Sequence, residues 1–176
     1  MSTGLIDGLL KLAQRKRELA AGKVLFRAGD PVRSLFLVID GDVRLVRALP
    51  HGVQLTLQRA GAGAILAEAS LFAGRYHCEA VAAERTLLAI VPLRRVEMAL
   101  KEHSEFARAW TQHLSSEVQR ARTHAEILSL KLVSERVDAW TALNGGTFPP
   151  RGRWRHVASE IGVTPEALYR EFAKRR

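Results

Sequence analysis

A chain of 176 residues, 47% of them hydrophobic, can build one medium domain or two small ones and is not a coreless polybasic tail. Its 27 Lys and Arg against 18 Asp and Glu leave a formal charge of +9, which points to a polyanionic partner, nucleic acid before a membrane surface. The single cysteine, Cys78, excludes an internal disulfide and any multi-cysteine metal site. No apolar run approaches the roughly 18 residues of a membrane span, and the opening MSTGLIDGLLKLAQRKREL lacks the order of a signal peptide. A soluble, cytoplasmic protein with no membrane partner is expected.

Residues 5–19 carry Leu5, Ile6, Leu9, Leu10, Leu12 and Ala13 at helical spacing and predict an N-terminal helix. Between Gly22 and Pro92 the pattern changes to short apolar runs, at 24–26, 34–39, 43–46, 53–57, 80–82 and 86–90. Turn signals separate them: Gly29-Asp30-Pro31, Asp40-Gly41-Asp42, Pro50-His51-Gly52 and Gly61-Ala62-Gly63. Strands recurring at this interval predict an antiparallel sandwich or barrel.

From Leu93 to Asn144 there is neither glycine nor proline, which predicts helix. Leu114, Val118, Ala121, Ala125, Leu128 and Leu132 are spaced 4, 3, 4, 3, 4, a heptad seam flanked by Glu117, Gln119, Arg120, Arg122, Thr123 and Glu126. So narrow a stripe suits a parallel homodimer better than the broad face of a core helix, which is the other reading. A second helical piece, 134–143, stops at Asn144-Gly145-Gly146. The expected organisation is a sensor domain over 1–95, a dimerisation helix over 96–132 and a DNA-binding domain over 133–176.

The last segment reads WRHVASEIGVTPEALYREFAKRR. Val157, Ala158 and Ile161 form the inner face of a short helix, and Gly162 ends it with a turn that needs positive φ. Thr164 then caps a second helix, with Pro165 at its first position and Glu166 in its first turn. Leu168 and Phe172 pack it back on the first, as in a helix-turn-helix. Thr164, Glu166, Ala167, Tyr169, Arg170 and Lys174 are left to face double-stranded DNA. An arginine there can donate twice to guanine, and a glutamate can accept from cytosine. Residues 151–176 hold seven basic groups against three acidic ones, a net +4 suited to phosphate contacts. The alternative is a plain helical hairpin with a solvated charged face.

The stretches Gly22–Asp30 (GKVLFRAGD), Leu35–Leu45 (LFLVIDGDVRL, with Gly41 at its turn) and Ala67–Phe72 (AEASLF) precede the long helix and the helix pair. In that order they resemble the Crp-Fnr family of catabolite-activator and fumarate-nitrate-reduction regulators. The resemblance implies an α+β fold: an antiparallel β-roll of the cyclic-nucleotide-binding type, a long dimerisation helix and a C-terminal helix-turn-helix. It implies a dimeric transcription regulator that binds DNA, with RNA polymerase as a further partner, and no enzymatic activity. By the same resemblance Glu166 and Arg170 fall at base-reading positions, and Pro165 and Tyr169 at positions that contribute to operator choice. Glu68 falls at the ribose-hydroxyl acceptor of the phosphate-binding cassette.

Two departures stand out. Ala67 replaces the cassette's glycine, and Tyr76 and His77 stand where the family's Arg-Ser pair grips the phosphate. Arg75 lies one place early, and would serve if the loop were displaced by one residue. Glu79 adds a charge unfriendly to a phosphate. The effector is therefore expected not to be a standard cyclic nucleotide, and the candidate pocket is Glu68, Arg75, Tyr76, His77 and Cys78. The chain also stops directly after the reading helix, so a minimal reader that leans on dimerisation is expected.

A cysteine beside a histidine can ligate haem iron or copper. Adjacent strand residues point to opposite faces, however, so His77 and Cys78 are expected not to share a metal, and Cys78 reads as a buried hydrophobe. His103, His113 and His124 read as solvated or interface residues. No catalytic signature is present in the sequence. The competing function is a ligand-binding or interaction module with a vestigial DNA reader.

Overall fold

The computed structural model describes residues 3–48, 54–148 and 150–175. The turn expected at Pro50-His51-Gly52 and Val53 of the run after it lie outside them, as does Arg176. The chain divides, inside its longest helix, into two compact units, Met1–His113 and Leu114–Arg176.

In the first unit α1 (Thr3–Leu12) precedes eight strands: β1 (Arg15–Leu19), β2 (Val24–Phe26), β3 (Ser34–Asp40), β4 (Val43–Ala48), β5 (Gln54–Ala60), β6 (Ile65–Leu66), β7 (Glu79–Ala82) and β8 (Thr86–Pro92). They form two four-stranded antiparallel sheets, β1-β8-β3-β6 and β2-β7-β4-β5. This is the α+β β-roll. The inner strands β3 and β8 bury Leu35–Val38 and Leu88–Val91 without alternation, because both of their faces are covered. The β3–β4 hairpin turns at Gly41, whose φ is 90°.

The helix expected over 5–19 ends at Leu12. Gln14 donates its N–H to the Ile90 carbonyl at 2.9 Å, and residues 15–19 join β8 as an edge strand. Arg15-Lys16-Arg17-Glu18 offers no apolar face for a helix to bury, and only Leu19 points inward. Arg95 also donates to the Leu12 carbonyl at 3.1 Å, a cationic cap on the end of α1.

The breaker-free stretch after Pro92 is likewise divided. α2 (Leu93–Glu102) stops at His103, which is extended (φ −122°, ψ 99°), and α3 runs Ser104–Ser129. The turn places the Phe106 ring against Gly8 of α1, where a Cβ would stand 3.0 Å from it, and the ring stacks on buried Trp110. Burial of two aromatic rings outweighs helix propensity here.

The second unit comprises the rest of α3, α4 (Val133–Leu143), α5 (Trp154–Glu160) and α6 (Pro165–Lys174). Its core is Ile127, Val137, Val157, Ala158, Ile161 and Leu168, with Trp140, Phe148, Trp154 and Phe172 packed around it. Because α3 ends at Ser129, Leu132 does not continue the heptad stripe. It is the extended residue before α4, and its N–H donates to the Glu135 carboxylate at 3.2 Å.

Candidate nucleic-acid interface and effector cavity

Local signals position the C-terminal helix pair. α5 stops where Gly162 turns at φ 65°, and the Val163 N–H returns to the Ala158 carbonyl at 2.9 Å. The Thr164 hydroxyl accepts the Ala167 N–H at 3.2 Å, and Pro165 opens α6. Val157, Ala158, Ile161 and Leu168 are all buried between the helices. Thr164, Glu166, Tyr169, Arg170 and Lys174 lie exposed, and Ala167 is half-buried.

Glu166 is held below the usual carboxylate range by the N–H at its own helix start, by the Thr164 hydroxyl and by the charges of Arg155 and Arg170. The face therefore presents a carboxylate acceptor close to a guanidinium donor. Tyr169 rests on the Trp154 ring at 5.1 Å between centroids, so its phenol is carried on a supported ring. Not every basic group counted from sequence is available to phosphate. Arg175 pairs with Glu171 and Asp138 and donates to the Ser134 carbonyl at 3.1 Å, tying α6 to α4.

On α3, Val118, Ala121, Ala125 and Leu128 are exposed and Leu114 is half-buried, while Ile127 beside the stripe is the residue that enters the core. Of the histidines expected to be solvated or at an interface, His103 is exposed, His124 is half-buried and His113 departs from expectation. His113 is buried beside Trp110. His124 donates from Nε2 to the Glu160 carbonyl at 2.6 Å, closing the end of α5, and His103 forms the α2–α3 break.

In the β-roll, a cavity of about 50 Å³ is lined by Phe26, Leu45, Gln58, Ala67, Glu68, Ala69, Ser70, His77 and Cys78. Of the five pocket residues expected from sequence, Glu68, His77 and Cys78 meet there. Arg75 does not: it pairs with Pro31 in an isolated bridge and donates to the Gly29 carbonyl at 2.7 Å, on the exterior. Tyr76 does not either. Its ring stacks on Phe26 at 4.0 Å and its hydroxyl donates to the Ser34 carbonyl at 2.9 Å, with burial raising the phenol pKa.

Strand alternation is the wrong ground for separating His77 from Cys78, because β7 begins only at Glu79. Both residues precede it in a bend, where strand alternation does not apply, and both line the cavity. His77 is nonetheless exposed and Cys78 buried. His77 Nδ1 lies 3.0 Å from the Ser70 hydroxyl. Burial pushes the Cys78 thiol up, against the weaker pull of Arg47, so it stays a thiol at neutral pH. Glu79 faces Arg27, its ion-pair partner at 3.1 Å. Among the described residues no group of three His, Cys, Asp or Glu could hold a metal.

The cavity lining contains a carboxylate and no Lys or Arg, while Arg47 acts on Cys78 and donates to the His77 carbonyl at 3.4 Å. Sequence reasoning missed Phe26, Leu45, Gln58 and Ser70, which come from β2, β4, β5 and the turn after β6. Only the strand register brings them together.

The cyclic nucleotide-binding domain model matches residues 16–103. The global nitrogen regulator of Synechococcus elongatus is 29% identical over 132 residues, covering 72% of this chain and 59% of that protein. The solved structure of FixK2 from Bradyrhizobium japonicum superposes with a TM-score of 0.73 at 19% identity, over 91% of this chain and 83% of that one. The Thermus thermophilus catabolite activator protein superposes at 0.60 with 26% identity, over 99% and 83%. The chain belongs to the cyclic nucleotide-binding domain family, in its Crp-Fnr branch. It spans between about half and three fifths of the length of the first curated relatives it matches. No helix among the described residues is long and apolar enough to cross a membrane.

Proposed function

We propose that this chain is a dimeric, sequence-specific, cytoplasmic transcription regulator, with residues 1–95 as sensor, α3 within 96–132 as dimer helix and 133–176 as DNA reader. The observation that carries the reading is the exposed face of α6, where Glu166 and Arg170 stand on a capped helix above a buried core. Two such helices, paired through Val118, Ala121, Ala125 and Leu128, would meet half-sites about one helical turn apart. Lys174 and the arginines around α5 supply phosphate contacts, and RNA polymerase is the further partner.

The effector enters the cavity at Glu68, His77 and Cys78 and is not a standard cyclic nucleotide, because Arg75 donates elsewhere and no cation lines the wall. Such a ligand acts by binding the DNA-competent arrangement more tightly than its alternative.

A gel shift on duplexes selected from a random pool tests the reading. Arg170→Ala should cost roughly 1–3 kcal/mol of sequence preference while leaving salt-sensitive, unspecific binding in place. Sequence preference unchanged by that substitution would overturn the assignment of α6 as the reader.

A further inference from the structure

Arg136, in the first turn of α4, is half-buried, and its guanidinium donates to four main-chain carbonyls. Nε reaches Leu130 at 2.8 Å and Nη2 reaches Leu128 at 3.0 Å. Nη1 reaches Ile161 at 3.0 Å and Gly162 at 3.1 Å. The first two acceptors belong to the end of α3 and the chain just beyond it, where carbonyls have no partner further along the helix. The other two belong to the turn between α5 and α6. A planar fork with five N–H donors can serve four acceptors in fixed directions, which an ammonium group cannot.

Two further contacts join the same pieces. A Cβ at Gly162 would stand 2.6 Å from a Leu128 methyl, so that side chain lies directly on the turn. His124 on α3 holds the Glu160 carbonyl at the end of α5. Leu128 is at the same time a member of the exposed stripe that would face a second subunit.

We propose that Arg136 is a positioning residue for DNA recognition: it locks the turn that launches α6 to the end of α3, so that a displacement of α3 is carried to α6 and not absorbed between them. This rests on the reading of the chain as a DNA-binding dimer. In such a dimer the seam on α3 sets the separation of the two α6 helices. A stiff joint turns that separation into a preference for one half-site spacing, and a loose joint lets each reader find its half-site independently.

The test uses the full chain and the palindrome it selects from random duplexes, at the selected half-site separation and with one base pair added or removed. Wild type should lose about tenfold or more at the altered separations, equivalent to about 1.4 kcal/mol of misfit. Arg136→Gln should shrink that ratio to about twofold, and Arg136→Lys should restore part of it. A residue that only stabilised the unit would lower affinity at every separation alike, so an unchanged ratio in Arg136→Gln overturns the proposal. Separate melting of the C-terminal unit below the assay temperature in both variants also overturns it, by making Arg136 a plain determinant of folding. Failure of wild type to select any duplex would instead fail the DNA reading, and the joint's role with it.

Discussion

Gly41 in the β-roll and Gly162 in the helix pair both turn the chain at positive φ, 90° and 65°, yet they stand before different walls. A Cβ at Gly41 would sit 2.6 Å from the Arg85 carbonyl oxygen and 2.7 Å from the Thr86 Cα. One at Gly162 would meet the end of the Leu128 side chain at 2.6 Å and Arg136 Nη1 at 3.3 Å. The corner at Gly41 is thus closed mainly by main chain, with the Thr86 hydroxyl, also 2.6 Å from such a Cβ, accepting the Asp42 N–H at 3.2 Å and donating to the Asp42 carbonyl at 3.1 Å. The turn of the helix pair is closed by side chains, the end of Leu128 and the guanidinium of Arg136, which is itself held by four main-chain carbonyls.

Alanine substitutions put that contrast to measurement. Gly41→Ala combines left-handed strain with a collision against fixed main chain, and should destabilise the β-roll by about 3 kcal/mol or more in denaturant melts. Gly162→Ala carries the same kind of strain, but its closest contact is the far end of the Leu128 side chain, so about 1–2 kcal/mol is expected, confined to the C-terminal unit. If the two variants lost equal stability, the difference between a main-chain wall and a side-chain wall would not hold.

The same contrast explains what could be read in advance. The local signals of the helix pair lie within the 21 positions from Trp154 to Lys174, close together in the chain. Capping by Thr164, the Gly162 turn and the Leu168–Phe172 face are therefore written in local order. The cavity is assembled from β2, β4 and β5 of one sheet and the bends on either side of Tyr76, and nothing local announces that Gln58 and Glu68 will line it together. Strands β1 and β6 escaped for a related reason. RKREL carries one inward residue and Ile65-Leu66 has only two, too few to show a period of two. Arg136 left no trace in sequence because all four of its acceptors are main-chain oxygens, which every residue possesses.

The smallest effect is expected at Ala67, and it separates two explanations of the cavity. Ala67 adopts φ 71°, ψ 12°, the one described non-glycine residue at positive φ, at the place where the resembled family has glycine. Ala67→Gly would relieve about 1–2 kcal/mol of left-handed strain. It would also forfeit the burial of a methyl group, about 0.8 kcal/mol, and add roughly 0.5–1 kcal/mol of chain entropy to the unfolded state. These terms nearly cancel, so the melting free energy should shift by less than about 1 kcal/mol. What the substitution restores is the glycine of the cassette turn, not a cation. If the absence of a lining Arg or Lys is what excludes a cyclic phosphate, calorimetric titration of Ala67→Gly with cyclic AMP should remain flat. Micromolar binding gained by that one change would place the block in the turn's shape and overturn the electrostatic account of the cavity.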